Sequence, residues 1–142
     1  MTLPRRGALV LATIDVLTAV LVLFGVFVAL PARWWPVDSV AAALGGVEIA
    51  AAIGLFIGAG WGVRLARAAA ALALGIGLFA VSTLAVTASW LSGVYGPVGR
   101  GGAIVLALTA ALAFPYLVGL PIAQLLWLSP SAKARQTPSE RS

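Results

Sequence analysis

The chain has 142 residues, of which 62% are hydrophobic and 9% charged, with a net charge of +5 and a mean hydropathy of +1.10. Soluble domains carry about 25% charged residues, so this composition excludes an ordinary soluble protein and predicts a single membrane domain. The lack of cysteine and histidine excludes disulfides, thiolate metal sites and imidazole chemistry, and the scattered basic residues argue against a nucleic-acid partner.

Four apolar runs follow one another, each long enough for a transmembrane helix, which needs about 20 residues. The third and fourth are separated by a stretch rich in glycine, residues 92–102, which predicts a loop. The predicted spans are residues 7–30, 37–59, 65–91 and 103–128. The fold class is therefore an all-α integral membrane four-helix bundle, with a short N-terminus over 1–6 and a disordered tail over 129–142.

The first run could also be compared with a signal peptide, because Arg5 and Arg6 precede it. Its length of about 24 residues exceeds the apolar region of a signal peptide, which is about 7–15 residues long. It also contains Asp15, and no A-x-A cleavage motif follows. We therefore expect a retained helix.

Basic residues predict the orientation of the four spans. Only Arg33 and Arg100 fall on one side, whereas seven fall on the other: Arg5, Arg6, Arg64, Arg67, Lys133, Arg135 and Arg141. This bias predicts both termini in the cytoplasm and a location in the cell (inner) membrane. The five tryptophans lie at predicted span ends, as interfacial anchors do. They are Trp34, Trp35, Trp61, Trp90 and Trp127.

Asp15 and Glu48 are the only charged residues deep within the apolar runs, because every other charged residue lies at a run end, in a loop or in the tail. An acid at bilayer depth costs about 3 kcal/mol on insertion scales, so it usually has a function or a specific partner. Thr18 lies one helical turn from Asp15, and Tyr116 in the fourth span is predicted at the depth of Glu48. These four residues form the candidate intramembrane polar site.

Each acid has two interpretations. Asp15 could form an ion pair with Arg67 near the cytoplasmic face, and Glu48 could be a neutral acid that links two helices by a hydrogen bond. Alternatively, both could face one interior region and bind protons or a cation. Pro115 and Pro121 remove backbone N–H groups from the fourth span and free carbonyls near Ala111 and Leu117. Such broken helices bind ions in some transporters, but prolines are more often plain kinks in membrane helices.

A glycine ribbon repeats at intervals of four residues. It consists of Gly46, Ala50, Gly54, Gly58 and Gly62. Such spacing allows helices to approach closely, and Glu48 points about 160° away from Gly46 and Ala50. The spacing leaves open whether the ribbon packs within the bundle or against another subunit, so a membrane-protein partner and a homo-oligomer both remain open.

The segment 47–75 resembles the second and third helices of DoxX-like small four-span proteins. The matching positions are Glu48, Gly54, Arg64 and Ala66. The resemblance implies an accessory subunit in the membrane. An acid in the first of four spans is also similar to the small multidrug transporters, although this chain is longer and its charge bias argues against dual orientation.

No enzyme motif is present, and no metal or cofactor is expected, because two carboxylates alone supply too few ligands. The sequence therefore favours a non-catalytic accessory or structural subunit packed through glycine-rich faces. The alternative is a proton- or cation-coupled transporter or channel protomer that uses Glu48 and Asp15.

Overall fold

The computed structural model describes residues 4–29, 31 and 33–129. These residues form helices without any strand, and four helices are long and apolar enough to span a membrane. They are Arg5–Val28, Trp35–Phe56, Gly60–Val94 and Gly96–Trp127. The all-α prediction is thereby confirmed, whereas the packing of all four helices as one bundle stays a prediction. The predicted tail beyond Ser129 lies outside the described residues.

The helical elements are α1 (Arg5–Phe24), α2 (Trp35–Phe56), α3 (Gly60–Val94), α4 (Gly96–Phe114) and α5 (Leu120–Trp127). A π-helical turn, Gly25–Ala29, extends α1, and a second one, Pro115–Gly119, joins α4 to α5. Two compact units divide the described residues at Ala70. The first contains α1, α2 and the first turns of α3, and the second contains the rest of α3 with α4 and α5.

In the first unit, α1 and α2 pack against each other as a helical hairpin. Leu23 of α1 lies over Gly45 of α2, where a Cβ atom would come within 2.9 Å of the leucine Cγ. Because glycine has no side chain at this point, the two backbones can approach closely.

Arg33 stabilises the connection between these two helices. Its guanidinium donates a hydrogen bond of 2.9 Å to the carbonyl of Phe27 and lies 4.9 Å from the centre of the Phe27 ring. It also lies 3.8 Å from the Asp38 carboxylate in the first turn of α2. One side chain therefore caps the end of the first membrane helix and contacts the start of the second.

A glycine turn ends α2. Gly58 has a φ of +70°, and the N–H groups of Ala59 and Gly58 donate to the carbonyls of Gly54 and Leu55, at 2.9 and 3.2 Å. These two bonds form a Schellman motif, in which the residue after the helix C-cap takes the left-handed conformation that glycine adopts without strain. Chain reversal into α3 follows within a few residues.

In the second unit, helix occupies most of the stretch 92–102 where the sequence predicts a loop. α3 runs to Val94 and α4 begins at Gly96, whose φ is +55°. Pro97 fits in the first turn of α4, because N–H groups there need no helical partner. The loop prediction was wrong, because the helix is interrupted only at the corner between Val94 and Gly96, and the other glycines of this stretch lie within α3 or α4. The 35 residues of α3 extend about 52 Å, beyond the hydrocarbon thickness of about 30 Å.

Pro115 begins the π-helical turn of the fourth span, and Pro121 follows it in α5. Pro121 has no N–H to offer the carbonyl of Leu117, its partner four residues earlier. That carbonyl lies directly against the backbone of Gly77 in α3. The Leu117 carbonyl is therefore covered by a neighbouring helix, which favours a plain proline kink over an ion site at this position.

Large apolar side chains cover much of the exposed surface of both units. Examples are Leu17, Leu21, Phe79, Leu112 and Leu126. A surface of this kind is disfavoured in water and favoured against lipid tails. Together with the four long apolar helices, it identifies a multi-pass membrane protein.

Candidate functional site

Asp15 and Glu48 are both buried, each with 3% of its surface exposed. On α1 the buried residues recur every three or four positions, and Asp15 is one of them: Gly7, Leu11, Ala12, Asp15 and Ala19. Glu48 occupies a similar stripe on α2, with Ala41, Leu44, Gly45, Ala51, Ala52 and Leu55. This periodicity gives each helix one packed face, and each face carries one acid.

The two acids lie at the same distance from the hairpin connection. Asp15 is 13 residues before Val28, where the first membrane helix ends, and Glu48 is 13 residues after Trp35, where the second begins. At 1.5 Å per residue, each lies about 20 Å from the connection. Their carboxyl groups are close enough to interact electrostatically. The structure therefore brings both predicted acids to one level of the α1–α2 hairpin.

Glu48 has an unsatisfied oxygen in this environment. Its Oε2 atom is buried and has no hydrogen-bond partner among the described residues. The neighbouring positions on its own stripe are alanine, glycine and leucine, none of which has a polar side chain. An unpartnered buried carboxyl is costly, and such groups in native proteins need an explanation.

Thr18 and Arg67 both belong to the first unit. The Thr18 hydroxyl is partly buried and donates a 2.9 Å hydrogen bond to the Ile14 carbonyl of its own helix. Arg67 is partly buried in the early turns of α3 and makes a polar interaction, as Asp15 does. The pairing of Asp15 with Arg67 stays a prediction.

Tyr116 does not fit the buried polar site. It lies in the π-helical turn Pro115–Gly119, and its side chain is 72% exposed. The predicted depth assumed a regular helix, whereas the wider π turn changes the direction of the side chains that follow Pro115. Tyr116 therefore faces the surroundings of the protein.

Sequence reasoning missed Gln124, which is buried in α5 with 8% of its surface exposed and makes a polar interaction. The candidate polar site was built around the two intramembrane acids, and Gln124 lies in a different span from either of them. A lone amide in the apolar segment Leu120–Trp127 is the signal that could have identified it.

The glycine ribbon does not form one continuous helix face. Gly58 lies in the turn after α2, and Gly46 is exposed with no atom within 4 Å of its Cβ position. Gly54 and Gly62 instead meet across the turn, since a Cβ atom at Gly54 would lie 2.7 Å from the Cα of Gly62 and from the Trp61 ring. The ribbon therefore separates into two parts. Gly54 and Gly62 form an internal contact, whereas the exposed Gly46 and the half-buried Ala50 form a part that is accessible from outside the helix pair.

The five tryptophans are exposed and lie at or near helix ends. They are Trp34, Trp35, Trp61, Trp90 and Trp127. Trp90 also packs edge-to-face against Tyr95 at the corner between α3 and α4, with ring centres 6.2 Å apart. These positions agree with a role at the membrane–water boundary.

Across residues 4–29, 31 and 33–129, no three acidic side chains come together as they would in a metal site. No family model, curated protein or solved structure matches the chain. The similarity of residues 47–75 to DoxX-like proteins therefore stays a prediction.

Proposed function

We propose that this protein is a non-catalytic subunit of a membrane assembly, with four spans and both termini in the cytoplasm of the cell. The orientation rests on the seven-to-two distribution of basic residues. Single cysteines at Ser92 and Ser131, in a chain without native cysteine, should react with an impermeant reagent from opposite sides of the membrane. Labelling of both from one side would contradict this orientation.

The exposed part of the glycine ribbon carries the subunit proposal. In this part Gly46 is exposed and Ala50 is half-buried, and the exposed Ala42, which lies outside the ribbon, precedes Gly46 by the same interval of four residues on α2. At Gly46 the space around a Cβ position is open. Small residues at this spacing allow a second helix to approach within backbone contact, which drives association in membranes. A partner subunit or a second copy would pack here.

The test compares complex size in mild detergent by native electrophoresis for the wild type, Gly46→Leu and Gly75→Leu. Gly75 has equally open space, but the bulky Phe79 lies one turn further along the same face. Gly46→Leu should release the protomer, while Gly75→Leu should leave the complex intact. A complex that survives Gly46→Leu would reject the subunit proposal.

One observation favours a second function, a proton- or cation-coupled transporter or channel protomer. Glu48 is buried without a hydrogen-bond partner for Oε2 among the described residues, and it interacts with the carboxyl of Asp15 at the same level. Intramembrane acids of this kind form proton relays and ion pathways in transporters. Proton and cation flux into proteoliposomes, compared for wild type and Glu48→Gln, tests this function. Equal flux in both would reject it.

A further inference from the structure

The carboxyl of Glu48 is buried among apolar residues of its own helix. The side chain is 3% exposed, and its stripe on α2 contains only apolar neighbours. Within the described residues, Oε2 has no hydrogen-bond partner. A charged carboxylate in such a place costs several kcal/mol unless a proton or a cation neutralises it. The position therefore calls for a ligand of positive charge.

We propose that Glu48 binds one exchangeable proton between α1 and α2, at the level of Asp15. This inference deepens the second candidate function, because it names the ligand of the same site. The inference concerns proton binding alone. If Glu48 binds a proton but the flux assay shows no transport, the inference holds and the transporter function is rejected.

Ligand number favours a proton over a metal ion. Calcium takes six to eight oxygen ligands and magnesium about six, whereas Asp15 and Glu48 together supply four. The rest of the two buried stripes consists of glycine, alanine and leucine. The hydroxyls of Thr13 and Thr18, which flank Asp15 along α1, each donate to a carbonyl of their own helix. A proton needs only one carboxyl oxygen.

Asp38 is the other charged residue of α2, and it lies in the first turn, 3.8 Å from Arg33 of the connection. α1 contributes Asp15 besides the arginines of its first turn, and the π-helical turn Gly25–Ala29 contributes none. The early turns of α3 contribute Arg64, which is exposed, and Arg67, which is partly buried. One proton on Glu48 leaves a single negative charge on the two acids, which one arginine is able to balance.

The experiment uses dicyclohexylcarbodiimide, an apolar reagent, on the full-length protein in detergent. The reagent takes the proton of a carboxylic acid on one nitrogen while the carboxyl oxygen bonds to its central carbon. The adduct then rearranges to a stable acylurea without losing any atom. Mass spectrometry of peptides should locate the adduct on Glu48. Above the titration midpoint, labelling should fall about tenfold per pH unit, since it follows the protonated fraction.

Two controls accompany this labelling. Glu48→Gln should remove the adduct, and a water-soluble carbodiimide with an added amine should label Asp38, which lies at the helix start, in the same preparations. Circular dichroism defines the pH range in which the helices remain intact.

The outcome that overturns the proposal is an unlabelled Glu48 throughout this pH range. Protection of Glu48 by sodium or potassium chloride, but not by choline chloride at equal ionic strength, would overturn it in favour of a metal cation. Labelling that depends on pH and ignores these salts supports it, whatever the flux assay shows.

Discussion

Leu117 and Gly77 meet backbone to backbone, with the leucine carbonyl oxygen where a Cβ atom at Gly77 would be. The contact joins the π-helical turn of the fourth span to α3, and glycine is the residue type that permits it. Because the obstacle is backbone rather than a flexible side chain, the two helices would have to separate to admit a methyl group.

Gly77→Ala should therefore lower the free energy of unfolding by about 1–3 kcal/mol, as overpacking does. Gly75→Ala is the matched control, because the space at Gly75 is open and alanine favours helix by up to about 1 kcal/mol. Denaturation in detergent followed by circular dichroism measures both. Equal stability of the two variants would contradict the contact.

A second prediction concerns the contact between α2 and α3. A Cβ atom at Gly62 would meet the backbone of Gly54 and come within 2.6 Å of the Leu55 nitrogen. Gly62→Ala should lower the melting temperature, at a cost of about 1–3 kcal/mol. Gly60→Ala, two positions earlier in the same helix with open space, should be neutral. A neutral Gly62→Ala would show that the helices do not cross here.

Gly58 should resist substitution for a different reason. Space around its Cβ position is open, but its φ is +70°. Any other L-residue is strained in this conformation, by about 1–2 kcal/mol, and asparagine less than most. Gly58→Ala should therefore destabilise the protein more than Gly58→Asn, as thermal unfolding would show. The reverse order would argue against the Schellman turn.

A fourth prediction concerns Arg33, which lies at the connection of α1 and α2. Arg33→Ala removes both the hydrogen bond to the Phe27 carbonyl and the contact with Asp38. The bond should contribute about 1 kcal/mol, whereas an exposed ion pair contributes about 0–1 kcal/mol. Arg33→Ala should therefore cost more stability than Asp38→Asn in chemical denaturation. A larger loss for Asp38→Asn would make the ion pair the main contribution.

The sequence was sufficient to single out the two acids that are buried in the first unit. Asp15 and Glu48 fall on the packed stripes because the apolar and small residues around them follow the period of a regular helix. The same period failed at Tyr116, since a π turn at Pro115 changes the angle per residue. A period read from sequence holds only while the hydrogen-bond pattern stays constant.

Glycine was harder to interpret than the acids. Gly54, Gly58 and Gly62 share one spacing, yet two lie at a helix crossing and one has a positive φ. The spacing shows only where glycine occurs in the sequence. Why glycine is needed at a position depends on a neighbouring helix or on the local dihedral angle. The stretch 92–102 shows the same limit, because the corner at Gly96 uses one glycine while helix includes the others.

The last prediction separates the two buried acids. Glu48→Gln should preserve stability, because the amide has the shape of a protonated carboxyl and no hydrogen-bond partner of Oε2 is lost within the described residues. Asp15 makes a polar interaction, and we predict that Arg67 is its partner. Asp15→Asn would then leave the partly buried Arg67 uncompensated, at a cost below that of a fully buried pair, which is about 3–5 kcal/mol.

A double-mutant cycle of Asp15→Asn and Arg67→Met tests this pair, with unfolding in detergent as the measurement. Coupled residues show an interaction energy of about 0.5–3 kcal/mol, whereas independent sites add within about 0.5 kcal/mol. The double variant should be more stable than the sum of the single changes predicts, because removing both charges leaves neither unpaired. Strict additivity would assign Asp15 a partner other than Arg67. A loss of stability in Glu48→Gln equal to that in Asp15→Asn would show instead that Glu48 is charged and paired in the folded protein.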